Sequence, residues 1–255
     1  MANPSTPLPS TSLGAGGGGA AALPGTPMTA HPTAHDHAHD PNLQHHFYDM
    51  DQQLEASTLG MWVFLVTEIM FFGGLFMAYL LYRHWYPGDW AAASNHLDVV
   101  LGGVNTAVLI CSSLTMALAV RSAQVGSRNG QLVNLVFTIL FGATFLVVKY
   151  FEYAEKFEHH LVPGPNFDPT LPTQQQLFFS LYFIMTGIHA AHMVVGIGIM
   201  LVILTMAWRG KFGPKYYGPV EVSGLYWHFV DIVWIVLFPL LYLLGAHFGA
   251  GGVAH

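Results

Sequence analysis

The sequence predicts an all-α, polytopic membrane protein, a bundle of about five transmembrane helices that follows a disordered N-terminal tail. The chain of 255 residues is 53% hydrophobic and only 9% charged, whereas soluble domains carry about a quarter charged residues. Its apolar residues fall into long runs, each close to the ~20 residues that a helix needs to cross a bilayer. The first 45 residues have a different composition from the rest.

The tail, residues 1–45, is rich in Pro, Gly, Ser, Thr and His. It has too little apolar surface to form a core, so we expect it to be disordered. It also lacks the charged start and continuous apolar segment of a secretory signal. His35, His37 and His39 are weak candidates for holding a transition metal. The alternative is a solvated tail, because this spacing fixes no coordination geometry.

The predicted membrane domain covers residues 46–255, with spans at about 59–82, 99–120, 132–150, 177–208 and 225–245. An odd number of spans puts the two ends of the chain on opposite sides. Positive residues near the span ends favour a cytoplasmic N-terminus and a periplasmic C-terminus. The cytoplasmic group is Arg121, Arg128, Arg209, Lys211 and Lys215, and the opposite group is Arg83, Lys149 and Lys156.

Charge and cysteine content exclude several classes of function. The formal net charge of −6 gives no basic surface for nucleic acid, so we expect no nucleic-acid partner. The chain has one cysteine, Cys111, which rules out a disulfide within the chain and any multi-cysteine metal site. We expect Cys111 to be a small buried hydrophobe.

Ionisable groups inside the spans are the main candidates for function, because such groups are costly in a bilayer. Glu68 follows the start of the first span by nine residues, which places it roughly 13 Å deep at 1.5 Å per residue. It is either a neutral carboxyl hydrogen-bonded to another helix or a proton-responsive or partner-binding carboxylate. His189 and His192 share one face of the fourth span, and their depth allows one of them to pair with Glu68.

The last span carries His228 and Asp231, one helical turn apart. A carboxylate in that position can fix the tautomer of the imidazole; the alternative is a pair that only packs helices together. At the end of the first span, the side chains of Arg83, His84 and Trp85 have the chemistry to bind a lipid headgroup.

The residues just beyond the spans are expected to meet water or lipid headgroups. Lys149, Glu152, Glu155 and Glu158 are predicted to continue the third span as a solvated, charged turn. Aromatic residues near the span ends, among them Trp90, are predicted to lie at the membrane interface.

We expect no redox cofactor in this chain. A transmembrane haem of the b type needs two histidines from facing helices at one depth. His189 and His192 are one turn apart on one helix, and no other span has a histidine at mid-depth. A binuclear copper site needs cysteines that the sequence lacks.

Three motifs resemble subunit III of the haem–copper oxidases, of the cytochrome c oxidase type. They are Met61–Phe72 (MWVFLVTEIMFF), Thr186–His192 (TGIHAAH) and Tyr226–Trp234 (YWHFVDIVW), each on its own predicted helix and in the family's order. Lys149–Tyr153 (KYFEY) is also similar to the family's pattern, where the lysine position is often Gln. The resemblance covers about residues 42–249.

The resemblance implies a subunit without a cofactor of its own, in the plasma (inner) membrane of a bacterium. It implies contact with oxidase subunits I and II, which would hold haem and copper, and with bound phospholipid. Its implied roles are assembly, proton uptake and stability during turnover. Glu68 would be the family's buried membrane carboxylate, and His228 and Asp231 belong to the last-helix motif.

One departure from the family is expected. Typical members have seven spans, and this sequence has about five, so the first two helices of the typical form have no counterpart. A small subunit or extra helices of the catalytic subunit would then fill their place.

Other functions remain open at this stage. A quinol oxidase or a nitric oxide reductase would use the same fold in a subunit of this kind. A proton or ion transporter would use Glu68, His189 and His192 as a relay, but the inverted repeats typical of transporters are not seen. A haem-binding membrane anchor is opposed by the histidine spacing.

Overall fold

A computed structural model describes residues 43–158, 160–163 and 171–243 of the chain. Most of the predicted tail, including His35, His37 and His39, lies outside these residues. The described residues are mostly helical and contain no strand. Five of the helices are long and apolar enough to cross a membrane. The predicted fold class, an all-α polytopic membrane protein, is confirmed.

The helices extend beyond the predicted apolar runs at most of their ends, because polar flanking residues continue the helical conformation. Asp49 caps the first helix by accepting a hydrogen bond from the Gln52 amide at 2.7 Å, and Asp98 caps the third in the same way. The helices are α1 (Met50–Trp85), α2 (Pro87–Ser94), α3 (Val99–Gln124), α4 (Arg128–Glu158), α5 (Thr173–Trp208) and α6 (Gly218–Phe238), and a π-helical turn, Pro239–Leu243, follows α6.

The buried faces of α3 and α4 repeat with alternating steps of three and four residues. This spacing keeps one seam of each helix turned toward its neighbour, as in left-handed helix packing. Gly126 joins the two helices at a φ of 76°, a left-handed conformation that suits glycine after a helix end. The buried residues are Gly102, Asn105, Leu109, Ser112, Met116, Ala119 and Ala123 on α3, and Gln131, Leu135, Thr138, Gly142, Phe145, Lys149, Glu152 and Lys156 on α4.

This seam continues into the charged end of α4, so the prediction of a solvated turn there is wrong for two of its four residues. Lys149 and Glu152 are only 4% and 3% exposed, because both fall on the repeat that faces the bundle. Glu155 and Glu158 fall between the seam positions and are exposed, as expected.

The helix α6 lies at the centre of the bundle and α1 lies at its edge. In its most apolar stretch, α6 is 61% buried within the chain, whereas α1 is only 17% buried. Trp227 of α6 fills the space beside Gly142 of α4 and Gly196 of α5. A Cβ atom on either glycine would lie within 2.9 Å of the indole, so only glycine fits at these contacts.

Two further expectations are corrected by the packing. The Trp90 side chain does not face lipid or water: it is 2% exposed, and its ring lies 6.0 Å from that of Tyr79 and 5.7 Å from that of Phe178. The short helix α2 folds it back against α5. Cys111 is exposed rather than buried, because the inward seam of α3 passes through Leu109 and Ser112 instead.

Candidate functional site

The predicted pairing of Glu68 with a histidine of α5 is present in the structure. Oε2 of Glu68 lies 3.3 Å from Nε2 of His192. The two side chains are 19% and 21% exposed, respectively. The pair therefore joins the edge helix α1 to α5 within the membrane-spanning part of the bundle, and it remains partly open to the outside of the chain.

The second ring nitrogen of His192 is hydrogen-bonded within α5. Nδ1 lies 2.9 Å from the carbonyl oxygen of Ile188. Because a carbonyl can only accept, Nδ1 carries a proton and donates it. Nε2 is then the ring nitrogen that faces Glu68, and a proton shared across the 3.3 Å gap would be bonded either to Oε2 or to Nε2.

The surroundings hold His192 in place. The hydroxyl of Tyr226 on α6 donates to the His192 carbonyl oxygen at 3.0 Å, and the ring of Phe72 on α1 lies 5.5 Å from the imidazole. The Tyr226 contact ties the backbone of α5 at His192 to α6, and the Nδ1 bond to Ile188 and the Phe72 ring orient the imidazole that faces Glu68.

Two grooves flank α1, and the pair opens into one of them. We name this the α1–α5 groove; its volume is about 490 Å³. The groove on the other side, the α1–α6 groove, is about 390 Å³ and is almost wholly apolar. Besides the pair, the α1–α5 groove is lined by Met61, Phe64, Ala191, Val195, Ile199 and Tyr226.

His189 lies in a different environment from His192, although the two are three residues apart on one helix. It is 1% exposed, and its ring lies 5.4 Å from that of Phe145 on α4 and 5.2 Å from that of Trp234 on α6. Neither ring nitrogen has a hydrogen-bond partner among the described residues. The structure therefore does not bring His189 into the pair with Glu68.

His228 and Asp231 do not form the hydrogen-bonded couple that their spacing allows. Nδ1 of His228 lies 2.7 Å from the hydroxyl of Ser113 on α3, so Ser113 and not Asp231 sets the orientation of the imidazole. Asp231 is 1% exposed. Ser113 lies beside Asp231 too, but neither carboxyl oxygen has a hydrogen bond of normal geometry among the described residues.

A second acid–base cluster, which the sequence analysis missed, lies where α4, α5 and the π-helical turn meet. Lys149 donates to Oε2 of Glu152 at 2.7 Å and to the Tyr242 hydroxyl at 2.6 Å. Tyr182 donates to Oε1 of Glu152 at 2.9 Å, and Tyr242 also donates to that oxygen. The ammonium lies 4.3 Å from the ring centre of Trp234. Both carboxyl oxygens are thus hydrogen-bonded, and the cluster is closed to solvent.

A sequence signal for this cluster does exist. Lys149 and Glu152 extend the three-and-four repeat that runs through Thr138, Gly142 and Phe145. Charged residues on such a repeat are expected to face the bundle, and a buried charge requires a partner. The partner Tyr242 depends on the π-helical turn, which nothing in the spacing indicated.

The three lipid-binding candidates occupy the last turn of α1. Arg83 is partly buried, and His84 and Trp85 are exposed. The ring of Trp85 packs edge-on against Tyr82 at 5.8 Å. Their position at a helix end suits the membrane interface, and headgroup binding stays a prediction. Among the described residues no group of three or more His, Cys, Asp or Glu side chains could hold a metal ion.

The fold and site define a multi-pass helical membrane protein that holds an acid–imidazole pair at membrane depth. The family model for cytochrome c oxidase subunit III matches residues 36–246, and the chain belongs to this family.

Similar proteins include two bacterial proteins named cytochrome c oxidase subunit 3. The protein from Corynebacterium diphtheriae is 37% identical over 189 residues, which are 73% of this chain and 87% of the relative. The protein from Synechocystis is 38% identical over 193 residues, 72% of this chain and 74% of the relative. The cytochrome bo(3) ubiquinol oxidase subunit 3 of Pseudomonas aeruginosa is 32% identical over 213 residues, 83% of this chain and 90% of the relative. The family is a subunit of terminal oxidase complexes, so the chain is a membrane-embedded oxidase subunit of type III.

Proposed function

We propose that this chain is the non-catalytic subunit III of a proton-pumping terminal cytochrome c oxidase in aerobic respiration. It packs on the haem–copper catalytic subunit, contacts subunits I and II, and supports their assembly. Electron transfer and oxygen reduction take place on haem and copper held by those partners. The relatives that are 37% and 38% identical and named cytochrome c oxidase subunit 3 support this assignment.

The observation that carries the proposed role is the Glu68–His192 pair. Oε2 and Nε2 face each other at 3.3 Å, and the Nδ1 contact with Ile188 leaves Nε2 available to share a proton with Glu68. Such a pair can move that proton between its two atoms without placing a net charge in the membrane. This property suits support of proton uptake and of stability during turnover, which depend on buried protonatable groups.

Bound phospholipid is the second element of the proposal. Arg83, His84 and Trp85 at the end of α1 would hold a headgroup, because cationic and aromatic side chains are favoured at this depth. The apolar α1–α6 groove beside this helix, which includes Phe76 and Val236, would take an acyl chain.

The proposed location is the plasma membrane of a bacterium, with the N-terminus in the cytoplasm and the C-terminus in the periplasm. Arg121 and Arg128 flank the α3–α4 turn, and Arg209, Lys211 and Lys215 lie in the α5–α6 connection. These connections meet, since Arg128 donates to the Trp208 carbonyl oxygen. Concentration of positive charge at one end of a bundle favours the cytoplasmic side.

A second candidate is the same subunit in a quinol oxidase. It is favoured by the Pseudomonas aeruginosa ubiquinol oxidase relative, which matches 83% of this chain. The electron donor binds to other subunits in both cases, so the two candidates share the fold and the Glu68–His192 pair.

The test is purification of the complex from native membranes in mild detergent through a tag on this chain. We expect haem–copper and copper-binding subunits to co-purify, with an a-type haem signal in the reduced-minus-oxidised spectrum. Oxidation of cytochrome c rather than quinol by the same preparation would separate the two candidates. A colourless chain that purifies alone and conducts protons in liposomes would contradict both.

A further inference from the structure

The helices α3 and α6 run in opposite directions and are joined by hydrogen bonds at two levels. Near the start of α6, Nδ1 of His228 lies 2.7 Å from the Ser113 hydroxyl. Further along α6, Trp234 donates to the Thr106 hydroxyl at 3.0 Å. These two contacts fix how the helices are aligned, and they place Asp231 between the two levels, one turn beyond His228.

The carboxyl of Asp231 reaches from that position toward Ser113, because side chains on a helix tilt toward its N-terminus. Ser113 lies beside Asp231 as well as beside His228. Asp231 is 1% exposed, and neither of its oxygens has a hydrogen bond of normal geometry among the described residues. Ser113 is therefore the polar group placed to serve both the carboxyl and the imidazole.

The charges around Asp231 favour a protonated carboxyl. None of the ion pairs among the described residues includes Asp231. Glu68 of α1 and His192 of α5 meet each other, and His189 of α5 lies between aromatic rings. Lys149 of α4 is held in the acid–base cluster at the π-helical turn. An ionised carboxyl without a counter-charge is costly at membrane depth, so we expect Asp231 to retain its proton.

His228 connects this buried group to the outside of the chain. It is half-buried and lines the α1–α6 groove, whose other lining residues are apolar or aromatic. Nδ1 is taken by Ser113, which leaves Nε2 for the groove. His228 follows the start of its apolar run at Leu225 by three residues, which places it roughly 5 Å into the span at 1.5 Å per residue. Water from the interface can reach an imidazole at this shallow depth.

We propose that Asp231, Ser113 and His228 form a proton-binding site, in which the Ser113 hydroxyl carries protons between the buried carboxyl and the α1–α6 groove. A hydroxyl can donate and accept at the same time, so the site has two arrangements. In the resting arrangement Asp231 donates to Ser113, Ser113 donates to Nδ1 of His228, and Nε2 carries the imidazole proton. The inference does not depend on which complex contains the chain.

The second arrangement is reached when each proton moves one step outward. The carboxyl proton passes to the Ser113 oxygen, the former Ser113 proton passes to Nδ1, and the Nε2 proton passes to a water molecule in the groove. Three bonds to hydrogen break and three form, and the carboxyl is left ionised. Because that charge is costly at this depth, the arrangement is short-lived and the reverse steps return a proton from water to Asp231.

The experiment measures hydrogen–deuterium exchange of the Asp231 carboxyl by infrared spectroscopy, in the complex purified from native membranes through a tag on this chain. A protonated carboxyl has a C=O stretching band that is separate from the bands of a carboxylate. This band shifts when deuterium replaces the proton. The difference between the unchanged complex and Asp231→Asn identifies the band. We expect the band to be present, and to shift in heavy water while the protein stays folded.

Substitutions within the site then test the route of exchange. Ser113→Ala removes the hydroxyl and His228→Phe removes the ring nitrogens, so exchange should slow by roughly tenfold or more, because it then requires opening of the packed helices. Ser113→Thr keeps a hydroxyl and should restore the rate. Ser112→Ala is the matched control: Ser112 is buried and bonded to Trp227, but it lies outside the proposed site, so its loss should leave the rate unchanged.

Absence of a protonated-carboxyl band in the difference spectrum would show that Asp231 is ionised and would overturn the inference. Equal exchange rates in Ser113→Ala and Ser112→Ala would also overturn it. If Asp231→Asn fails to assemble, isotope-labelled aspartate identifies the aspartic acid bands, and the same two variants decide. If Ser113→Ala fails to assemble, His228→Phe takes its place. The identity of the co-purifying subunits tests the proposed function separately, since it does not alter the exchange result.

Discussion

The bundle contains two acid–base groups that differ in how completely the chain surrounds them. In the Lys149–Glu152 cluster both carboxyl oxygens are hydrogen-bonded, and neither side chain is more than 5% exposed. In the Glu68–His192 pair the contact is a single 3.3 Å approach between Oε2 and Nε2, and about a fifth of each side chain is exposed. A buried charged group whose hydrogen bonds are all made within the chain stabilises one arrangement of the helices. A group with fewer hydrogen bonds is available to a proton or to a partner.

The difference follows from the positions of the helices that carry the two groups. The seam of α4 that carries Lys149 and Glu152 faces the bundle, and Tyr182 of α5 and Tyr242 of the π-helical turn enclose them. Glu68 lies on α1, the edge helix, where the chain provides cover on only one side. We interpret the Lys149–Glu152 cluster as a structural contact that holds α4, α5 and the π-helical turn together, and we name it the clasp. We interpret the Glu68–His192 pair as the functional group.

The largest effect is expected on breaking the clasp. Glu152→Leu leaves the Lys149 ammonium buried without its counter-charge, which should lower the free energy of unfolding by about 3–5 kcal/mol. Unfolding of the purified chain in detergent micelles, followed by tryptophan fluorescence, measures this change. Glu158→Gln is the matched control, because Glu158 lies on the same helix and is exposed. Equal stability of the two variants would argue against the clasp.

The double variant Lys149→Met with Glu152→Leu should recover most of that loss. It removes both charges, and apolar replacements of buried ion pairs are often neutral. If the double variant is as unstable as Glu152→Leu alone, the loss has a cause other than an unpaired charge.

A smaller effect is expected from Tyr242→Phe. The variant removes one hydroxyl that accepts from Lys149 and donates to Glu152, while the ring still packs against Phe238 at 5.5 Å. Leaving these buried groups with one bond fewer should lower the free energy of unfolding by about 1–3 kcal/mol. The same micelle assay tests it, and an unchanged value would show that the hydroxyl is dispensable.

The Glu68–His192 pair should contribute much less to the free energy of unfolding than the clasp does. Glu68→Leu removes a single interhelical contact at the edge of the bundle, and such contacts average about 0.6 kcal/mol and reach about 1.7 kcal/mol in a membrane protein. The unfolding assay on the isolated chain should therefore separate this variant clearly from Glu152→Leu. A loss as large as that of Glu152→Leu would remove the distinction between the two regions.

The smallest effect is expected from deleting residues 1–40. If the histidine-rich tail is only solvated, as its composition predicts, the truncated chain should assemble with the other oxidase subunits at an unchanged yield. Co-purification from native membranes measures that yield. Failure of the complex to form would contradict this view of the tail.

The sequence predicted the parts of the molecule that depend on hydrophobicity and depth. Five apolar runs became five long helices, and the depth of Glu68 correctly indicated a histidine of α5 as its partner. The wrong predictions concerned which side chains face the bundle and which face outward. Lys149 and Glu152 look like a solvated end when only composition is considered, although their spacing continues the buried seam of α4.

The environments of His228 and Asp231 could not be predicted for a related reason. Spacing along one helix shows that two residues share a face, but the neighbouring helix decides which of them is bonded. Ser113 of α3 takes the contact with His228. Tyr242 likewise reaches Lys149 through a π-helical turn, a local irregularity that hydrophobic periodicity does not encode.

The most direct test of the functional assignment is the rate at which the purified oxidase loses activity during continuous turnover. It is compared between the unchanged complex and Glu68→Gln, with haem content measured in both. Gln keeps the size and a hydrogen bond but cannot share the proton with His192. We predict equal haem content and faster loss of activity in Glu68→Gln. Equal rates of loss in the two complexes would contradict the account, because the open pair would then have no role in sustained turnover.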